Sequence, residues 1–395
     1  MTWLAERKAE LGFAQRDSLR ECLDKGKAAI DWDAKWHLPG TKSLDDHRMH
    51  GLGFVWTHEW EDSSGSSEMA IRLERNDGSA TIFGCRADGG QNAETAYCQI
   101  AADEIGLPVE KVFYRQQEDA GFFAMTPDSS TNLSVNGFAV RNAARILKRR
   151  ILEAAVAPRG VTQQGGFPPI FPDLLPEDLG IQEGYIFEKA DPANRISVAE
   201  FVKRSAPSGT MVETEFPRVG APREDYCQPL FADSFQVQDG AYASKRLRLC
   251  RQAHFVEVAV DTDTGKIDIL KLVTVNDVGH VINWDGCEGQ QYGGAYMAMG
   301  RGLFEEMVTD PVTGVYLNSD MLNYKIPTIL DIGPIETRLV ETGMGYGPYG
   351  AVGIGEDVAT TAPYLIPAAV YNAIGRWIDE YPVTPSRVLR SLGKA

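Results

Sequence analysis

The stretch GYGPYGAVGIGE, residues 345–356, places five glycines in its first eleven positions and ends in a carboxylate, Glu356. A regular helix or strand is disfavoured here, because each interior glycine costs about 0.5–1 kcal/mol relative to alanine. Glycine also lets another backbone or a ligand approach closely. An apolar segment with helical spacing follows at Leu365. The pattern indicates a loop that positions one acid before a helix, although a connector with a surface glutamate is an alternative.

The composition indicates a globular protein without an electrostatic surface for nucleic acid. Of 395 residues, 43% are hydrophobic and 24% are charged, which supports a sizeable core. The net charge of −16 argues against nucleic acid and anionic membranes as partners. No apolar run approaches the roughly 20 residues of a membrane span. The six cysteines form no C-x-x-C pair, and no signal peptide is visible, so we expect a cytoplasmic protein.

Strand-like and helical patterns are mixed without strict alternation, which favours an α+β fold. An Asp-Gly turn and a DTDTGK turn each predict two paired strands. Residues 157–235, rich in proline and glycine, predict a long surface excursion with short strands. Predicted strands lie at 50–60, 69–83, 112–114 and 254–277, and predicted helices at 2–36, 92–105, 137–151, 289–306 and 365–377.

Four polar segments in front of predicted helices are candidates for one ligand site. Backbone N–H groups at helix starts, with neutral polar side chains, suit a large polar or anionic ligand. Each alone is explained by an ordinary turn or N-cap, and none is a P-loop or a G-x-G-x-x-G motif. Glu356, beyond the last glycines, could act as a base toward the bound molecule. The segments are Gly89-Gly90-Gln91, Ser129-Ser130-Thr131-Asn132, Gly289-Gln290 and Gly353-Ile354-Gly355-Glu356.

The histidines add no metal or nucleophile motif. His47 and His50 have ligand-like spacing, but no partner motif accompanies them. No Ser-His-Asp or Cys-His arrangement is apparent in the sequence.

The order of these motifs resembles the xanthine dehydrogenase/aldehyde oxidase family of molybdenum hydroxylases. The similarity runs from about residue 50 onward and resembles only the C-terminal half of the molybdopterin-binding subunit. The motifs are RADGGQNAET, DSSTNLSVNGFAV, HFVEVAVDTDTGKI, VNDVGHVIN, GQQYGGAYMAMGRGLFEE, NYKIPT, PIETRLVE, GPYGAVGIGE and PAAVYNAIGRWIDEYPVTPSRVL.

The resemblance implies a catalytic base and a pterin contact. The family's Gly-Glu before the last helix is its base, which corresponds here to Glu356, with Gly353 and Gly355 lining the cofactor. The family's glutamine that contacts the pterin corresponds to Gln290. No side chain is implied to bind molybdenum directly, since the pterin holds the metal.

The resemblance also implies contacts from two earlier loops. The family's G-Q-G motif corresponds to Gly90 and Gln91, with Asn92 in place of the final glycine. The hydroxyl-rich loop that holds the dinucleotide phosphates implies Ser130, Thr131 and Asn132 as cofactor-binding residues.

The implied cofactor is molybdopterin with molybdenum, as the cytosine dinucleotide. The implied arrangement is similar to nicotinate dehydrogenase, with a companion N-terminal-half subunit completing the site. Iron–sulfur clusters and FAD are expected only on an iron–sulfur subunit and a FAD subunit. The implied activity is hydroxylation of a small heteroaromatic or aldehyde with water. Two alternatives stay open: a related hydratase or dehydroxylase acting on a ring enone or aryl thioester, and a non-catalytic structural subunit.

We predict four parts along the chain. Residues 1–50 are a helical or extended lead-in, and 51–160 form a first molybdopterin-binding α+β part. Residues 161–250 form a loop-rich excursion with short strands. Residues 251–395 form a second molybdopterin-binding α+β part that contains the catalytic Gly-Glu.

Overall fold

The computed structural model of the chain combines helices with four small sheets. Thr131 lies outside the described residues, as do residues 2–17 of the first predicted helix and residues 206–235 of the predicted excursion. The structure describes residues 18–61, 67, 69–74, 76–84, 88–116, 130, 132–157, 159–162, 165–205, 248–343, 345 and 347–394.

The helices and strands are numbered in chain order. The described α-helices are α1 (Ser18–Ile30), α2 (Trp32–Lys35), α3 (Ala93–Ile105), α4 (Gly137–Val156), α5 (Val198–Ser205), α6 (Trp284–Leu303), α7 (Asp357–Thr361), α8 (Leu365–Ile374) and α9 (Pro385–Ser391). The described strands are β1 (Arg48–Glu61), β2 (Ala70–Leu73), β3 (Ala80–Gly84), β4 (Val112–Gln116), β5 (Arg159–Thr162), β6 (Gly165–Phe167), β7 (Leu179–Gln182), β8 (Tyr185–Glu188), β9 (Arg195–Ser197), β10 (Arg248–Asp261), β11 (Ile267–Asp277) and β12 (Ile335–Val340).

The largest described sheet has the strand order β1-β10-β11-β12. β10 is antiparallel to both β1 and β11, whereas β12 runs parallel to β11. The turn between β10 and β11 is held by Asp261, whose Oδ1 accepts from the backbone N–H groups of Asp263 at 2.9 Å and Thr264 at 2.8 Å. Parallel neighbours need a crossover, and α6 lies in the connection from β11 to β12.

Both faces of this sheet are covered. One face packs valines of β10 and Leu272 of β11 against α6, α8 and α9. The other packs Phe255 and Val273 against Cys22 and Ile30 of α1. The glycines of β1 allow α8 to lie directly on the strand, because a Cβ on Gly51 would lie 2.2 Å from the carbonyl oxygen of Ala369.

A second core surrounds the sheet β2-β3-β4. The hairpin predicted around Asp77-Gly78 is confirmed, with β2 antiparallel to β3. α3 connects β3 to the parallel strand β4 and ends at Gly106, which adopts φ 94°. Apolar side chains of α3 and α4 fill this core, among them Tyr97 and Leu147, each fully buried.

The α+β class is confirmed, but several boundaries differ from the sequence prediction. The described part of the excursion has the expected short strands, yet α5 also buries Phe201 in the second core. The last apolar helix ends at Ile374, because Gly375 adopts φ 67° and caps it. The division into four parts stays a prediction. Strand β1, which lies mostly in the predicted second part, pairs with β10, which extends into the predicted fourth part.

Candidate cofactor site

Three of the four predicted ligand-binding segments meet at the backbone of Gly355. The side-chain Nε2 of Gln290 donates to the carbonyl oxygen of Gly355 at 2.7 Å. The backbone N–H of Gly355 donates to the Ser130 Oγ at 3.2 Å. Gln290 is 65 residues away in sequence and Ser130 is 225 away, so the tertiary fold brings these motifs together.

The close approach of two loops explains the glycine at position 353. A Cβ there would lie 2.2 Å from the carbonyl oxygen of Ser130 and 2.8 Å from its Cβ. Ser130 itself adopts φ 57°, a left-handed conformation that is uncommon for a residue with a side chain. The two loops therefore interlock at backbone level, and a larger residue at Gly353 would separate them.

The place where these three segments meet at Gly355 is called the junction here. Glu356 lies at its exposed edge. It immediately precedes α7, and its carbonyl oxygen accepts from the backbone N–H of Thr360 at 3.1 Å. Its side chain is exposed, and no donor among the described residues binds its carboxylate. The backbone of Glu356 is thus fixed, while its carboxylate is accessible to a ligand in front of the loop.

The glycine-rich loop is tied to the second core by Tyr349. This residue has φ 59°, and its hydroxyl donates to Glu104 Oε1 at 2.9 Å. Burial opposes ionisation of Glu104, but bonds from Arg145, Tyr349 and Arg141 outweigh it and lower the pKa of that carboxyl. Burial and the bond to Glu104 raise the pKa of Tyr349. Tyr349 therefore acts as a neutral donor that anchors the loop leading to Glu356.

Replacing Tyr349 with Phe should disturb this loop without emptying the site. A hydrogen bond to a charged group contributes about 1.5–3 kcal/mol, so we expect a loss of thermal stability on this scale. Turnover per bound cofactor should fall, while cofactor content stays unchanged. Differential scanning fluorimetry and turnover normalised to cofactor measure both effects. Tyr185→Phe, at an exposed strand position, is the matched control, and equal effects from both variants would contradict a positioning role for Tyr349.

Gln290 lies inside a helix rather than in a turn before one, which corrects the sequence prediction. α6 begins at Trp284 because Asn283 caps it, with Oδ1 accepting from the backbone N–H of Gly286 at 3.0 Å. Gln290 is therefore held by the rigid second turn of the helix. Its neighbour Gln291 is fully buried and points to the sheet.

A buried polar layer lies between α6 and the sheet. Thr274 Oγ1 donates to Gln291 Oε1 at 2.7 Å, and His254 Nε2 lies 2.6 Å from Gln252 Oε1. These side chains are fully buried, and burial lowers the pKa of His254 to about 3, so it is neutral. A polar partner at one helical position fixes the rotation of α6, which directs Gln290 toward Gly355.

The earlier Gly-Gln segment lies immediately before α3. Gly90 adopts φ 97°, its backbone N–H donates to Asp88 Oδ1 at 2.9 Å, and it is exposed. No contact in the described part of the chain joins Gln91 to Glu356. α3 nevertheless reaches the hydroxyl-rich loop, since the Tyr97 hydroxyl lies 3.3 Å from the carbonyl oxygen of Asn132.

The model of the molybdopterin cofactor-binding domain matches residues 25–333 of the chain, more than half of it. The chain belongs to this family. It is a member of the xanthine dehydrogenase/aldehyde oxidase group, as its motif order predicted, and corresponds to the C-terminal half of the molybdopterin-binding subunit.

Two curated relatives illustrate this membership. The putative xanthine dehydrogenase molybdenum-binding subunit XdhA of Escherichia coli K12 is 26% identical over 385 residues, covering 94% of this chain and 45% of the relative. The nicotine 6-hydroxylase large subunit of Paenarthrobacter nicotinovorans is 25% identical over 324 residues, covering 80% of this chain and 35% of the relative. The chain thus spans less than half the length of these relatives.

Solved structures agree on the fold. Quinoline 2-oxidoreductase from Pseudomonas putida 86 has a TM-score of 0.71 and 23% identity, covering 95% of this chain and 45% of that one. The CO dehydrogenase of Oligotropha carboxidovorans has a TM-score of 0.71 and 19% identity, covering 99% of this chain and 44% of that one.

The residues of the junction fit a large, neutral-polar cofactor. Gly289 and Gly293 lie on α6 beside Gln290, and a Cβ added at either would contact nothing within 4 Å. The same holds for Gly90, so these glycines leave open backbone surface next to amide and hydroxyl side chains. Within the described ranges, no cluster of three or more His, Cys, Asp or Glu side chains could hold a metal ion. None of the described helices is long and apolar enough to cross a membrane.

The sequence motifs do not reveal two sets of residues that support the site, which are Tyr349 and the buried polar layer. Tyr349 looked like part of a glycine-rich loop, although an aromatic residue between Pro348 and Gly350 is a detectable irregularity. His254 is the first residue of the motif HFVEVAVDTDTGKI, and no role in the site is predicted for it. Gln252 and His254 continue the period-two pattern of Val256, Val258 and Val260 on one face of β10, and this was the available signal for the buried layer.

Proposed function

We propose that this chain forms half of the molybdenum-binding region of a molybdenum hydroxylase that adds oxygen from water to a small heteroaromatic or aldehyde. The observation that carries the proposal is an exposed carboxylate, Glu356, fixed where Ser130 and Gln290 both bind the preceding residue. The relatives include subunits of a putative xanthine dehydrogenase, an aldehyde oxidoreductase and a nicotine 6-hydroxylase, which supports this substrate class.

Neutral side chains around the junction would hold the cofactor. Gln290 would contact the pterin, and Gly90 and Gln91 would approach it from the start of α3. Gly353 and Gly355 would let it lie against the loop backbone. We propose the cytosine dinucleotide form, with its phosphates held by the hydroxyl-rich loop, in which Ser130, Thr131 and Asn132 would act.

Glu356 would be the general base. When bound, the molybdenum centre would supply a water-derived nucleophile for the substrate carbon and would accept the hydride equivalent, the hydrogen with two electrons, that this carbon loses. The Glu356 carboxylate takes up the proton that this nucleophile loses. The carboxylate suits this role because it is accessible and held on a short loop between α7 and the Gln290 contact. The acid formed must return its proton to solvent before the next turnover.

Further subunits would complete the enzyme. A companion half would cover the open side of the site, and an iron–sulfur subunit with a FAD subunit would carry the electrons away. We place the assembled enzyme in the cytoplasm, with no nucleic acid among its partners.

Isotope labelling of the assembled enzyme tests this function. With N-heteroaromatic substrates in ¹⁸O-labelled water, the product should gain one ¹⁸O atom, and turnover should require an electron acceptor. Oxygen derived from O₂ would contradict the proposal. Turnover without any acceptor would indicate the hydratase alternative, and absence of molybdenum and turnover together would indicate a structural subunit.

Replacing Gln290 with Ala should lower cofactor occupancy. The variant loses a proposed pterin contact and the bond to Gly355, and an unmatched buried partner costs about 1–3 kcal/mol. Molybdenum per protein, measured by mass spectrometry of the metal, should fall more than turnover per molybdenum. Gln182→Ala, at an exposed position of β7, should leave occupancy unchanged. If Gln290→Ala kept full cofactor occupancy but turned over slowly, Gln290 would act only by holding the loop at Gly355 and would not bind the pterin.

A further inference from the structure

Residues 307–330, which connect α6 toward β12, form an apolar arm. These residues contain no helix or strand, apart from an isolated bridge between Thr309 and Tyr316. Eleven of their large hydrophobic side chains are exposed. The most exposed are Val312 at 91%, Met321 at 94%, Ile329 at 86% and Leu330 at 92%, whereas no large hydrophobic elsewhere in the described chain exceeds the 64% of Leu38.

Local polar bonds give the apolar arm a defined shape. Asp310 Oδ1 accepts from the backbone N–H groups of Val312 and Thr313, each at 2.8 Å. Asp320 Oδ1 accepts in the same way from Leu322 and Asn323, each at 2.9 Å. The polar side chains thus hold the turns, while the apolar side chains point outward. Such an arrangement presents hydrophobic groups instead of burying them, and exposed apolar patches of this kind mark interaction sites.

The apolar arm is fixed to the helix that carries Gln290. The Tyr324 hydroxyl donates to Glu305 Oε2 at 2.9 Å, just beyond the end of α6. The Tyr296 hydroxyl of α6 donates to the carbonyl oxygen of Pro327. A partner seated on the apolar arm would therefore brace α6 and the proposed cofactor site.

We propose that the apolar arm is the main docking surface for the companion half of the molybdenum-binding region. This inference rests on the proposed function. The matched part is only 45% of the relatives with similar sequence or structure, so more than half of their molybdenum-binding subunit lies outside it. The arm contributes 24 residues (307–330), which is the number that one side of a standard interface uses, about 20–30. A companion half would account for both the exposed apolar surface and the part of the relatives that this chain does not match.

Site-specific labelling of the assembled complex tests the docking surface. Met321→Cys and the control Leu175→Cys, at a position 58% exposed outside the arm, are treated with a thiol reagent beside the unsubstituted protein. The cysteine at 321 should react at least tenfold more slowly than the one at 175 in the complex. Equal rates would overturn the proposal, as would protection at 321 that arises only in particles containing two copies of this chain.

A pair of substitutions that introduce charge tests the docking surface independently, through co-purification of the companion half. Met321→Asp combined with Leu330→Asp should reduce the amount of companion half that co-purifies with this chain at least tenfold. Val109→Asp combined with Leu175→Asp, at exposed apolar positions elsewhere, should leave it unchanged. The test is made in cells that cannot make molybdopterin, so that docking is measured without the cofactor. Normal co-purification of the first pair would reject the docking surface while leaving the proposed function intact. Lost co-purification, together with a wild-type complex that lacks molybdenum and turnover when it is made in molybdopterin-producing cells, would do the reverse.

Discussion

Replacing Glu356 with Gln is expected to abolish turnover while the cofactor stays bound. The amide has the size of the carboxylate but cannot take up a proton, and general-base contributions are typically about 10²–10⁴-fold. Because no described donor binds the carboxylate, the substitution breaks no internal hydrogen bond, so the fold and the Gln290 contact should persist. Turnover per molybdenum, measured on the assembled enzyme, should fall at least a hundredfold.

Glu110→Gln provides the matched control for this result. It makes the same chemical change at an exposed position in the short 3₁₀ turn before β4, and should leave turnover unchanged. If Glu356→Gln, with molybdenum confirmed, kept more than about a tenth of the wild-type rate, Glu356 would not be the base.

The chain produced without the proposed companion half should contain almost no molybdenum and should aggregate. Eleven exposed hydrophobic side chains on the apolar arm and an open junction at Gly355 would then face water. Obligate interfaces commonly bury 2,000 Å² or more, so the uncovered surface is expected to associate non-specifically. Size-exclusion chromatography, metal mass spectrometry and pterin fluorescence after oxidation measure the two effects.

Co-production with the companion half should raise molybdenum per chain more than tenfold and give a single species. The control keeps expression level and cofactor supply equal in both preparations. A monomeric chain that binds molybdopterin alone at full occupancy would refute the division of the site between two halves.

The parts of the fold that follow local rules were predictable from the sequence. The hairpin at Asp77-Gly78 and the end of α3 at Gly106 depend on glycine conformations that few other residues adopt. The β10–β11 pair depends on an Asp-rich turn whose side chain bonds the next backbone N–H groups. In each case the decisive interaction lies within a few residues.

The site was predictable only as separate motifs. Nothing local indicates that Ser130 and Gln290 bind the same residue, Gly355, because these contacts span 225 and 65 residues. α6 starts at Trp284, five residues before the predicted start at Gly289, because the helix start depends on the cap at Asn283 and not on the glycine-rich spacing that follows. The bond from Tyr349 to Glu104 spans 245 residues and left no periodic signal.

The most direct test of the account is an experimental structure of the assembled, cofactor-loaded enzyme. We predict that the Glu356 carboxylate lies beside the molybdenum, within about 2.6–3.2 Å of one of its oxygen ligands or linked to it by one water. Gln290 and the backbone of Gly353–Gly355 should line the pterin. A cofactor bound elsewhere, with Glu356 facing bulk solvent or buried against another subunit, would contradict the assignment of this loop as the catalytic centre.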